Sequence, residues 1–256
     1  MKRTSAEYRA IARQNLNGKW TEALIATLLA WFLGASVYSS YTASVDLDSA
    51  AFKEAFEYLL PLILVVTLIG NVLNVFRFVV GGAATLGYAK YHLNLHDKQP
   101  ANVRDVHSCF DRLGAAFVMS FLRNIFVFLW SLLLLIPGIV KSISYAMAPY
   151  ILLENPNMTG LEAITASKTM MDGEKWDYFV LDFSFIGWSL LASVPSLVSA
   201  VLFEMGKWSA WPIILLGALA SFAASLLVGA YKSAAQAAFY RDLLARQIPF
   251  STPMQY

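Results

Sequence analysis

The chain has 256 residues, of which 58% are hydrophobic and 14% charged, and its mean hydropathy is +0.55. Soluble domains carry about 25% charged residues, and here the apolar residues come in long blocks, so a water-soluble fold is excluded and lipid is the expected solvent. The net charge of +2, with no long basic run or binding motif, excludes a nucleic-acid partner. A single cysteine, Cys109, excludes an internal disulfide.

In chain order, residues 1–20 set Lys2, Arg3, Arg9, Arg13 and Lys19 against Glu7, with Tyr8, Ile11, Ala12 and Leu16 at helical spacing. This predicts a short amphipathic helix on the membrane surface; a solvated basic tail is the bland alternative. Thr4 and Glu7 match a capping box, Asn17 and Gly18 supply a stop, and Trp20 suits the interfacial belt. No charge interrupts residues 23–45, which at about 1.5 Å per residue cross a hydrocarbon core of about 30 Å, the first span. A cleaved signal peptide fits less well, because the block is longer than the usual apolar region and lacks a small-x-small site. Asp46, Asp48, Lys53, Glu54 and Glu57 then mark an outside loop.

Residues 58–76 form the second predicted span, followed by Arg77, with Gly70, Gly81, Gly82 and Gly87 allowing close packing or a local break. Residues 90–112 are hydrophilic and return the chain to the cytoplasm, and 113–136 is the third span, interrupted only by Arg123. Pro137 and Gly138 are expected to break or kink the helix that reaches them. Residues 139–153 are either a short fourth span or a re-entrant segment. Residues 154–175 read as a loop helix capped by Thr159 and Glu162. Residues 176–203 are a fifth span kinked at Pro195, and 208–231 a sixth. The helix continues to Arg246, and 247–256 is a tail.

With six spans, fourteen lysines and arginines fall on the inside and only Lys53 and Lys207 outside. Five spans would move residues 154–175 and the tail across the membrane, against the positive-inside bias. The expected fold is therefore all-α: a polytopic six-span bundle with both termini in the cytoplasm. WSLLLLIPGIV at 130–140 and WSLLASVPSLV at 188–198 share six of eleven positions. Parallel internal repeats and coincidence both account for this echo.

Ionisable groups at depth are costly unless paired or hydrated, so they are the chemical clues in such a chain. The intramembrane polar candidates are Arg123, Asp182, Lys141 and Arg77, joined by Asp177 and Lys232 near the span ends. A buried Arg123–Asp182 pair is the expectation; snorkelling to the interface is the alternative for Lys141, Asp177 and Lys232. The helix-break candidates are Pro137, Gly138 and Pro195. His92 and His96 stand four residues apart near His107, Cys109 and Asp111, but no zincin motif or paired-cysteine spacing accompanies them. No metal, cofactor or catalytic constellation is expected.

The strings IPGIVKSISYAMAPYILLENP (136–156), EAITASKTMMDG (162–173) and FSFIGW (183–188) resemble the bacterial integral membrane proteins grouped as domain of unknown function 975. The resemblance extends to the amino-terminal helix ending in LNGKW, and departs at VPSLV (194–198), where the family tends to carry a glycine. It implies a multi-pass protein of the bacterial cytoplasmic membrane and names no substrate. The expected role is non-enzymatic: binding, protection or an accessory function at the bilayer, toward a lipid, a hydrophobic peptide, or a membrane-protein partner or second copy. The alternatives are a small transporter or permease subunit and, third, an enzyme acting on lipid.

Overall fold

The computed structural model describes residues 2–35, 50–204 and 211–247. Among them every regular element is helical: α1 Ser5–Leu16, α2 Trp20–Phe32, α3 Ala50–His96, α4 Leu113–Leu133, α5 Leu135–Ser144, α6 Ala148–Glu154, α7 Gly160–Met170, α8 Lys175–Phe183, α9 Ile186–Glu204 and α10 Trp211–Gln247. Two short 3-10 helices, Val103–His107 and Phe110–Arg112, lead into α4. Five stretches are long and apolar enough to cross a membrane: Thr67–His96, Val103–Leu133, Leu135–Glu154, Lys175–Phe203 and Pro212–Gln247. The first predicted span begins as α2, whose 13 residues reach only about 20 Å; its continuation to residue 45, the acidic side chains of 46–57, Lys207 and the tail beyond 247 lie outside the described residues.

Burial divides the molecule into two zones. Large apolar side chains are exposed along 64–79, 128–140, 186–203 and 214–227, an extent that water does not tolerate and hydrocarbon does. The other zone is densely packed, with Ala83, Leu86, Ala116, Met119, Ala235 and Ala238 all at 0% exposure. Alanine-rich turns of α3 and α10 let the helix backbones approach there. At Gly87 any Cβ would lie 2.5 Å from the carbonyl oxygen of Asp105, so glycine alone admits the 3-10 segment onto α3. Arg241 of α10 clamps this end, its Nε 3.1 Å from Asp97 and its Nη1 on Glu154, which also accepts from the Tyr240 hydroxyl.

Several boundaries differ from the sequence reading. The hydrophilic segment from residue 90 is helical through His96, because Tyr91, His92, Leu93 and Leu95 are buried. The break between α4 and α5 falls at Leu134 (φ −160°, ψ 144°), ahead of Pro137. Pro137 then occupies the first turn of α5, where a missing N–H costs nothing. Gly138 serves packing: a Cβ there would meet the Ser131 Cα at 2.8 Å. The predicted fourth span is two helices, and its broken middle is satisfied from α7. Buried Ser167 accepts from the Met147 N–H (3.2 Å) and donates to the Ser144 carbonyl (2.9 Å).

The fifth span breaks at Ser184 and Phe185, between α8 and α9, whereas α9 runs continuously through Pro195. Next to that proline, the Ser196 N–H donates to Ser221 Oγ of α10 at 2.9 Å, one of the ways helices re-satisfy backbone near proline. The 130–140 echo therefore spans a helix break at Leu134 while the 188–198 echo lies inside one helix, so the two segments differ in backbone path at that position. The apolar stripe of the amino-terminal helix is covered: Tyr8, Ala12 and Leu16 are buried and meet α10. Tyr8 packs its ring on Phe239 at 5.2 Å and donates to Asp242 at 2.8 Å. Both expected capping boxes, Thr4 with Glu7 and Thr159 with Glu162, are formed.

Candidate functional site

Three pairs of polar side chains, each four residues apart and so on one helix face, point toward a common space. They are Tyr88 and His92 on α3, Tyr178 and Asp182 on α8, and Lys232 and Gln236 on α10. Arg123 of α4 and Tyr150 of α6 complete the lining of a cavity of about 230 Å³. Lipid-exposed helices thus enclose a polar chamber, the arrangement in which intramembrane charge is sustainable.

One wall of the chamber is internally satisfied. Lys232 Nζ lies 2.8 Å from Asp182 Oδ1, and Gln236 donates to Asp182 Oδ1 at 3.2 Å and to the Tyr178 hydroxyl at 2.8 Å. The expected Arg123–Asp182 pair is not formed: Arg123 lines the same cavity, but the partner of Asp182 is Lys232. The register explains this, since Lys232 and Gln236 sit one turn apart on α10 and both donate to the carboxylate.

The rest of the lining is not satisfied. Among the described residues no carboxylate pairs with Arg123, and the formal charge of Arg123, Lys232 and Asp182 together is one positive unit. His92 is 1% exposed, and neither ring nitrogen has a hydrogen-bond partner. Its ring meets Tyr88 edge-on at 4.6 Å and Tyr91 at 5.2 Å, contacts that hold the imidazole without using its nitrogens. Buried polar atoms are ordinarily paired by protein, water or ligand, so an orphaned imidazole in a lining that also carries a guanidinium marks where a bound group belongs.

The other sequence candidates lie elsewhere. Arg77 donates to the Trp31 carbonyl at 2.7 Å and places its guanidinium 5.1 Å from the Trp31 ring, tying α3 to α2. Lys141 sits 4.6 Å from the Trp130 ring, across the α4–α5 hairpin. His96 bonds its neighbour Asp97, and among the described residues no cluster of three or more His, Cys, Asp or Glu could hold a metal. Tyr88, Tyr150, Tyr178 and Gln236 escaped the sequence reading, which weighed charges singly; the four-residue spacing of the three polar pairs was the signal available.

No curated protein and no solved structure matches the chain. The three strings at 136–156, 162–173 and 183–188 all fall within the one family match, and the amino-terminal helix ending in LNGKW falls outside it. Residues 132–247, from the last turn of α4 to the end of α10, match the model of the family described as Protein of unknown function (DUF975).

Proposed function

We propose that this protein is a non-enzymatic binding protein of the bilayer, and that its ligand is held in the chamber between α3, α4, α6, α8 and α10. The observation that supports this reading is the half-satisfied lining: Asp182 is neutralised within the protein, while Arg123 and His92 offer donors that no described residue uses. The lining has no nucleophile with an adjacent base, and binding asks less of these residues than turnover does. The distribution of lysine and arginine supports an orientation with both termini inside, and the family resemblance suggests the bacterial cytoplasmic membrane. In that topology the chamber lies at the inner ends of the spans, and a lipid, a partner membrane protein or a second copy can reach it from that leaflet.

Native mass spectrometry of the freshly extracted protein tests this. A discrete, stoichiometric adduct should accompany the wild type and be lost in Ala146→Phe, which fills the chamber. Absence of any adduct, or Arg123-dependent solute flux in proteoliposomes, would overturn the proposal in favour of a structural role or a transporter.

A further inference from the structure

The polar chamber is one of two adjoining cavities. A second cavity of about 160 Å³ meets it at Ser142, Ile143, Asp182 and Lys232. Beyond that junction the second compartment is lined mainly by apolar residues, including Ile139, Phe179, Phe183 and Ile186. Ile139, Phe183 and Ile186 are themselves 43%, 59% and 44% exposed, so this compartment opens sideways through the lipid-facing surface. A positively charged inner chamber thereby adjoins an apolar groove reachable from the hydrocarbon.

Resting on the binding reading above, we infer that the ligand is an anionic amphiphile whose oxyanion head occupies the chamber and whose chain lies in the groove. The guanidinium of Arg123 supplies the charge-assisted donors that phosphate or carboxylate oxygens prefer. His92, buried and without a partner, is a further polar group of the same lining. Lys232 adds positive field from the junction while held by Asp182. The break between α8 and α9 at Ser184 and Phe185 lies at the groove, which Phe183, Phe185, Ile186 and Ser189 from either side of it line. The compartments fit the two ends of one molecule and share the Asp182–Lys232 pair as their boundary.

The test uses the full chain in phosphatidylcholine nanodiscs with three probes: phosphatidic acid, its neutral counterpart diacylglycerol, and inorganic phosphate. Retention of the lipids is read by native mass spectrometry and phosphate binding by thermal shift. Wild type should retain phosphatidic acid in preference to diacylglycerol. Arg123→Gln should weaken that retention about 100-fold and Arg123→Lys about tenfold. Ser189→Phe, which fills the groove, should abolish phosphatidic acid retention and leave the phosphate response intact. Phosphatidic acid bound equally by wild type, Arg123→Lys and Ser189→Phe would overturn the inference, and these two variants carry the test if Arg123→Gln does not fold. Inorganic phosphate binding as tightly as phosphatidic acid would identify a free anion as ligand and refute the chain compartment. Diacylglycerol retained as well as phosphatidic acid would refute the anionic head while leaving the binding reading intact. No retention of any probe, with no native adduct, would refute both.

Discussion

Ser167→Ala isolates two hydrogen bonds with almost no change of volume. In the break between α5 and α6, the Met147 N–H and the Ser144 carbonyl reach one buried hydroxyl, Ser167 Oγ, at 3.2 and 2.9 Å. The side chain is 0% exposed, so neither group turns to water when the hydroxyl is removed. Each buried unsatisfied backbone group costs about 1–3 kcal/mol, and sharing one hydroxyl between both places the expected loss at about 2–3 kcal/mol. For a chain of this size that is roughly 5–10 °C in Tm. Between lipid-facing helices a hydrogen bond averages only ~0.6 kcal/mol, because the unfolded chain in the membrane finds other partners. The larger value therefore follows from placing Ser167 in the packed zone. The assay is thermal unfolding in micelles followed by tryptophan fluorescence, with hydrogen exchange at the Met147 amide. A loss below about 1 kcal/mol with Met147 still protected would refute the reasoning.

Further outcomes are expected. Gly87→Ala forces a methyl against the Asp105 and Val106 carbonyls; overpacking of this kind costs about 1–3 kcal/mol, and displacement of the 3-10 segment should raise maleimide labelling of buried Cys109. Unchanged labelling and Tm would refute that packing account. Glu162 is held below its usual 4.5 by hydrogen bonds from Thr159. Its stabilisation of α7 should be complete above about 4.5 and vanish as pH falls through the lower folded value, and this pH dependence should be absent in Glu162→Gln, as read by exchange of the α7 amides. Tyr8→Phe removes the 2.8 Å bond to Asp242 and should cost about 1 kcal/mol. By contrast 1 M salt should release α1 little, since Lys2 and Arg3 are half-exposed in their ion pairs; limited proteolysis near residues 17–19 distinguishes the two.

The helical class and the apolar blocks were legible because hydrocarbon-length runs without charge have few other uses. The capping boxes were legible because Thr4 with Glu7 and Thr159 with Glu162 act within one turn. What was not legible depended on distant partners. Pro137 and Pro195 drew attention as breakers, yet the breaks fall at Leu134, Ser144–Met147 and Ser184. At the second of these, a serine 20 residues away supplies the missing bond. Arg123 was recognised as a group at depth, but its relation to Asp182 was decided by Lys232, 50 residues from that aspartate. Charge alone suggested the pairing; helix register, known only after folding, assigned it.

The docking of α1 on α10 has a consequence for biogenesis. Tyr8 finds Asp242 across 234 positions of sequence, so the amino-terminal helix leaves the ribosome long before its seat exists. Until α10 is made, the stripe of Tyr8, Ala12 and Leu16 stays uncovered and needs a temporary host, either the headgroup layer or a chaperone. Assembly of the packed zone is thus a closing step taken after the apolar helices are inserted, and a nascent chain arrested before Asp242 should hold α1 open to protease.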